Sequence, residues 1–202
     1  LLETYETNTY LVWDVASKEA ILIDPAAPNA DLKDYINKMD LIITKIINTH
    51  GHGDHIGGNE YFANEFDCPI CIHENDAPML GDSNLNLSAF MNVDLKTPPA
   101  KILFTGEYDF KLGNYELKIL HTPGHTKGGV VIYAKPYLFT GDTIFLTDIG
   151  RTDLPGGNYD ELIKSIKEKV FKFPEDTKIF PGHGSSTSVG YEKQMNRYVN
   201  NS

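Results

Sequence analysis

The chain has 202 residues, 41% of them hydrophobic, and a formal net charge of −10. That length suits one domain, or two halves sharing a core, and we expect a single domain over residues 1–202. The acid excess argues against nucleic acid, which needs a basic footprint. No apolar run approaches the ~20 residues that cross a bilayer, so a membrane is not expected as a partner either.

The first half opens with two strand-like runs, Thr9–Asp14 and Ala20–Asp24, around the turn VASKE. Asp24 ends its run just before Pro25. Asp31–Met39 spaces Leu32, Tyr35, Ile36 and Met39 as one face of a helix. Ile43–Asn48 reads as a strand and delivers the most unusual stretch of the chain, Thr49-His50-Gly51-His52-Gly53-Asp54-His55. Three imidazoles and a carboxylate crowd there, a donor set that Zn²⁺, Fe and Mn accept. On an extended backbone His50, His52 and Asp54 would share one side and His55 the other. Gly51 and Gly53 let the chain curl, so one loop can serve two cations, His50 and His52 on one, Asp54 and His55 on the other.

Gly58–Phe66 reads as a helix and CPICIH as a strand. Cys68 and Cys71 form a lone C-x-x-C, too little for a structural zinc site, and read as ordinary reduced cysteines of a cytoplasmic protein. The chain starts at Leu1 rather than Met, which leaves room for a short preceding segment or signal. His73 reads as structural. Asp76–Leu80 reads as a short helix. Gly81–Ala100 has no period and is expected to be a long loop, of the kind that borders binding sites, with Phe90 and Met91 either lining a substrate mouth or simply packed.

The second half begins with a hairpin, Tyr108–Leu112 and Tyr115–Leu120 around Gly113-Asn114. His125 follows in HTPGHT, Asp142 in FTGDT and His183 in FPGHG, each after an apolar run and at a glycine-containing turn. Five of the seven histidines fall into this scheme. His121 is expected to pack or support. Asn158 and Glu161 suggest a capping box opening a helix to about Phe171. Lys178–Pro181 reads as the last strand and Val189–Val199 as the last helix.

The H-x-H-x-D-H motif followed by a His, an Asp and a His resembles the metallo-β-lactamase fold superfamily over almost the whole chain. GDTIFLTDIGRTDLPGG and PGHGSSTSVGYEKQMNRY resemble its short, glyoxalase II-like members. The resemblance implies an αββα sandwich, two mixed β-sheets with helices on the outer faces. It implies that His50, His52 and His125 hold one divalent metal, that Asp54, His55 and His183 hold a second, and that Asp142 bridges them. It implies further that Asp24 supports the metal loop from behind. Two metal ions per chain are expected, Zn²⁺ first, with Fe or Mn acceptable to the same donors.

A water between two cations loses a proton near neutral pH, which makes a bridging hydroxide the expected nucleophile, with Asp54 orienting it. No protein acid is obvious. A thiol, with a pKa of about 8.5, leaves without one, so a small-molecule thioester is favoured over an amide. The expected activity is that of a thioesterase of hydroxyacylglutathione hydrolase type. Arg151 is the candidate for a substrate carboxylate, or else an ion-pair partner of Asp153, which stands where glyoxalase II enzymes have an aromatic. Those enzymes also carry a C-terminal helical domain that grips glutathione, whereas here one helix is expected after His183; the carrier thiol is thereby left open. The alternatives are a lactonase, or a persulfide dioxygenase with one iron on His50, His125 and Asp142. The latter family shares the GRTD of Gly150–Asp153 but has a Cys where Ile149 stands.

Overall fold

The computed structural model describes residues 6–200. The first half contains β1 (Tyr10–Trp13), β2 (Glu19–Ile23), α1 (Ala30–Lys38), β3 (Ile42–Ile47), α2 (Gly53–Ile56), α3 (Asn59–Phe66), β4 (Ile70–His73) and β5 (Ile102–Phe104). The second contains β6 (Tyr108–Leu112), β7 (Tyr115–His121), β8 (Val130–Ala134), β9 (Tyr137–Gly141), β10 (Ile144–Phe145), β11 (Asp148–Ile149), α4 (Tyr159–Glu168), β12 (Lys178–Pro181), β13 (Thr187–Ser188), α5 (Val189–Met195) and α6 (Arg197–Asn200).

One sheet has the order β1-β2-β3-β4-β5, the other β13-β12-β9-β8-β7-β6, and β10 pairs with β11 in a small ribbon. Both large sheets are mixed. β2, β3, β4 and β5 run parallel to their neighbours, with β1 antiparallel at the edge. In the second sheet only the β9–β12 pair is parallel.

The period of two along each strand builds the layers. In β2, Ile21 and Ile23 face the second sheet, while Ala20 and Leu22 face the first helix layer with Ile36 and Phe62. In β8, Val130 and Ile132 join the core between the sheets, with Leu117, Ile119 and Phe139, and Val131 faces the outer cluster of Leu162, Ile166 and Ile179. Three apolar seams therefore stack four layers, the αββα arrangement expected.

Several local expectations change. α4 is capped by Asn158, whose Oδ1 accepts from Glu161 N at 3.1 Å. The reciprocal half of a capping box is replaced, because Asn158 N donates to Gly124 O at 2.7 Å and so ties the helix to the His125 turn. The helix ends at Glu168, short of Phe171, and Val170–Lys172 continues as a 3₁₀ turn. The last helix is split at Asn196, whose backbone is extended. Its buried side chain donates to Asp148 O at 3.0 Å and Glu192 Oε2 at 2.9 Å, tertiary bonds that compete with a continuous helix. Ala77–Gly81 forms a 3₁₀ turn in place of the helix over Asp76–Leu80. β5 and the β10–β11 ribbon were not foreseen. The 81–100 segment is irregular except for a 3₁₀ turn at Ser88–Met91. It is anchored by the buried Asn86, which donates to Met79 O and Leu95 O and accepts from Ser88 N, each at 3.0 Å.

The two cysteines are buried free thiols, pushed by burial to about 11 for Cys68 and about 12 for Cys71, so they stay protonated and unreactive. No helix among the described residues is long and apolar enough to cross a membrane.

His73 is structural, as expected. Its ring stacks on His121 at 4.0 Å and its Nδ1 accepts from Asn75 N at 3.2 Å. Burial first, then the neighbouring His121, pushes its pKa down to about 4. Between that value and the ordinary ~6.5 the unfolded chain takes up a proton that the folded chain refuses. Stability supplied by this site is therefore present above pH ~6.5 and lost as pH falls toward 4. Urea unfolding of chelator-treated protein across that range should show stability rising with pH, with a shallower slope in His73→Phe.

Candidate metal centre

The expected donors lie at the ends of strands along one open edge of the sandwich. β3 leads into Thr49 and His50. The next residues do not stay extended: Gly53–Ile56 is helical, so Asp54 and His55 come from one helical turn rather than from opposite sides of a strand. His125 follows β7, Asp142 follows β9 and His183 follows β12.

Donor atoms of His50, His52 and His125 lie within 4.8 Å of one another, and so do those of Asp54, His55 and His183. Asp142 reaches both groups. Its Oδ2 is 3.7 Å from His125 Nε2 and 3.4 Å from His183 Nε2, and its Oδ1 is 3.4 Å from His55 Nε2. All seven expected donors are thus brought together.

Partners behind the imidazoles fix which nitrogen faces inward. His125 Nδ1 donates to Arg151 O at 2.7 Å, which turns its Nε2 to His52 Nδ1 at 3.0 Å. His55 Nδ1 donates to Asp24 Oδ2 at 2.9 Å, which turns its Nε2 to His183 Nε2 at 3.3 Å. Ring nitrogens held face to face in this way converge as lone pairs do around a cation. His50 Nε2, His52 Nε2 and Asp142 Oδ1 are buried without a hydrogen-bond partner. A buried polar atom left unpaired costs about 1–3 kcal/mol, and His50 Nε2 and Asp142 Oδ1, the latter 3.4 Å from His55 Nε2, fit a bound cation, whereas His52 Nε2 points away because its Nδ1 faces His125. The donors present therefore fit divalent metal.

Charge follows the same division. Burial first, then the neighbouring imidazoles His55 and His52, pushes His50 well below the ordinary histidine range. Burial, then His125, takes His52 to about 3. Both are held as neutral rings, the form that ligates. In the other group burial opposes charge on His55, but Asp142, Asp54 and Asp24 outweigh it and raise the ring well above its usual value. Burial would raise the Asp142 carboxyl, yet His55 and hydrogen bonds from His183 and His55 hold it well below the carboxylate range. This half of the site attracts positive charge.

Asp24 is placed as expected, behind the donors. It sits at the end of β2 with φ of +47°, and its Oδ1 accepts from Thr49 N at 2.7 Å while Oδ2 accepts from Thr49 Oγ1 at 2.6 Å as well as from His55. Both oxygens are engaged by these bonds, and Asp24 also has a donor atom within 4.8 Å of those of His50 and His55. Gly182 leaves room for the cluster: a Cβ there would strike Asp142 Oδ1 and lie 2.7 Å from His55 Cε1.

Three supporting residues had no signal in the sequence. Thr7 Oγ1 donates to Asp54 Oδ2 at 3.1 Å. Asp76 is buried and accepts from Gly51 N at 3.2 Å, Thr126 Oγ1 at 2.7 Å and Gly128 N at 2.7 Å, clamping the loop of His50 and His52 to that of His125. Asn86 O accepts from Gly53 N at 2.8 Å and ties the 81–100 segment to the donors.

The donors open into a cavity of about 550 Å³, walled by Leu87, Phe90 and Met91 on one side and Phe145, Ile149 and Leu154 on another. Phe90 is 78% exposed, so packing does not account for it. Arg151 lines the cavity but is paired with Asp153, Nε to Oδ1 at 3.0 Å and Nη2 to Oδ2 at 2.9 Å. Of its two expected roles the structure contains the ion pair, and its backbone carbonyl positions His125.

The sequence matches the family model described as the metallo-beta-lactamase superfamily over residues 3–183. It is similar to hydroxyacylglutathione hydrolase GloC of Haemophilus influenzae, 35% identical over 201 residues that cover 97% of this chain and 94% of the relative. Of solved structures, the BLEG-1 B3 metallo-beta-lactamase superposes with a TM-score of 0.92 at 34% identity, covering 96% of this chain and 95% of that one. TTHA1623 in a di-iron-bound form gives 0.83 at 31% identity, with 96% of each chain covered. Metal-dependent hydrolysis is the class of chemistry these relatives indicate, and divalent metal the class of cofactor. The chain belongs to the metallo-beta-lactamase superfamily.

Proposed function

We propose that this chain is a binuclear metal-dependent hydrolase that cleaves a small-molecule thioester, as hydroxyacylglutathione hydrolases do. The carrying observation is Asp142, whose two oxygens face both donor groups at once. In this reading His50, His52 and His125 hold one cation, Asp54, His55 and His183 the other, and Asp142 is shared. Zn²⁺ is assigned first, and Fe or Mn suit the same donors. Bound there, two divalent cations supply Lewis acidity, which acidifies water and polarises an acyl oxygen.

The chain's own residues do the positioning. Asp24 holds His55, and the Arg151 carbonyl holds His125, each with Nε2 turned inward. Thr7 steadies the oxygen of Asp54 that also lies 3.2 Å from His183 Nε2, and Asp54 faces the reacting centre as the orienting carboxylate. Among the described residues lining the cavity, the imidazoles and the carboxylates of Asp54 and Asp142 are committed to the donor set. A leaving amine would need a proton, and beyond the donors the lining's one carboxyl is Asp148, which accepts from Ile149 N, whereas a thiolate leaves unaided at a pKa of about 8.5. That supports a thioester over an amide.

Metal-reconstituted protein should release free thiol from S-lactoylglutathione or S-acetyl-N-acetylcysteamine, and Asp54→Ala should lose at least about 100-fold in rate. Absence of thiol release from these two compounds and from N-acetylcysteamine thioesters of longer acyl chain would refute the thioesterase reading. Asp24→Asn, which removes the charge behind His55, should weaken metal binding by about 10–100-fold in a chelator competition.

A further inference from the structure

The walls of the cavity carry information beyond the reaction. Next to the donors they are apolar: Leu87, Phe90 and Met91 from the 81–100 segment oppose Phe145, Ile149 and Leu154. The polar groups beyond the donors are already engaged. The Asn86 side chain spends its bonds on Met79 O, Leu95 O and Ser88 N. Asp148 Oδ1 accepts from Ile149 N at 2.8 Å. Arg151, the one cation besides the histidines among the described lining residues, is neutralised by Asp153. With Asp148 in the lining and Asp153 paired to Arg151, the rim away from the donors offers no uncommitted positive side chain to a second carboxylate, while cations held by the donors would attract one anion at the site itself.

Two further observations point the same way. Phe90, 78% exposed, stands at the mouth with Leu87 and Met91, so the three form one apolar wall rather than a lone surface side chain. The 3₁₀ turn that presents it is bracketed by Leu87 at φ +68° and Asn92 at φ +59°. For leucine that backbone is unfavourable, and it is held by the buried anchors Asn86 and Ser88. The segment is therefore built to hold Phe90 and Met91 over the cavity rather than to bury them.

We infer that the cavity selects a thioester with an uncharged, apolar arm of several carbons over one on a multiply charged carrier such as glutathione. This rests on the thioesterase reading for the reaction, but the recognition itself is a property of the walls. Apolar surface buried per added methylene sets the expected gain, roughly two- to fourfold until the space is filled.

The test uses two uncharged series with metal-loaded protein, N-acetylcysteamine thioesters of lengthening acyl chain and thioacetates of lengthening S-alkyl chain, with S-lactoylglutathione beside them. The kcat/KM value should rise with length in at least one series and exceed that for S-lactoylglutathione by about tenfold at its maximum. In parallel, the matching thioethers, which cannot be cleaved, are titrated by calorimetry, and their Kd should fall with length. The exposed Phe90→Asp substitution should flatten both trends, with the fold checked by circular dichroism. Flat thioether affinities, or a preference for S-lactoylglutathione over every uncharged thioester, would overturn the inference while leaving the thioesterase reading intact. Length-dependent thioether binding without turnover of any thioester would uphold the inference and overturn that reading.

Discussion

The structure depends on a set of buried donor atoms aimed at each other. His52 faces His125 nitrogen to nitrogen, His55 faces His183 in the same way, and Asp142 stands between the pairs. Each facing pair can share a proton as an N–H···N bond, and the same convergence of nitrogens and carboxylate oxygens is what a cation's ligands require. What surrounds the edge of the sandwich holds that arrangement in place. β3, β7, β9 and β12 end at this edge, and each is followed by a turn that carries donors. Asp24 and Asp76, both buried, lock those turns from behind.

This division of labour separates stability from chemistry. The seams between the layers are built from Ile, Val, Leu and Phe at a period of two along the strands, and they would serve many unrelated sites. Function lies in the loops, where departures from ordinary backbone collect. Asp24 and Leu87 have positive φ, as does Gly141 immediately before Asp142. A Cβ at Gly141 would strike the Thr49 side chain, which Asp24 holds. Asp24, Leu87 and Gly141 thus place unusual backbone around the donors, while Lys18, Asp40 and Asp67 adopt positive φ at turns and helix ends elsewhere.

Much of this was legible in the sequence because it was written locally. The apolar run Ala20–Asp24 reads as a strand by itself, and the H-x-H-x-D-H stretch announces itself by crowding; which face of each strand meets which layer is set by the other sheet. Asn158 was readable as a cap, yet its backbone partner was not, because Gly124 belongs to another element. Thr7, Asp76 and Asn196 were silent for the same reason. Their partners include Asp54, Thr126 and Asp148, residues 47, 50 and 48 positions away, and a single polar side chain has no period. The helical turn at Gly53–Ile56 was hidden by its two flanking motifs, since alternating glycine and histidine suggests an extended chain. Arg151 shows the limit of analogy. Its pairing with Asp153 was one of the two roles read from the sequence, because Asp153 stands where the motif has an aromatic, and the structure contains that pair.

The account stands or falls on whether two cations share Asp142. The direct measurement is the metal content of reconstituted, dialysed protein by plasma mass spectrometry, beside Asp142→Ala. Two divalent ions per chain, falling to one or fewer in the variant, is the result the proposed binuclear site predicts. A single ion per chain at saturation, unchanged by loss of Asp142, would contradict the shared site and with it the binuclear mechanism.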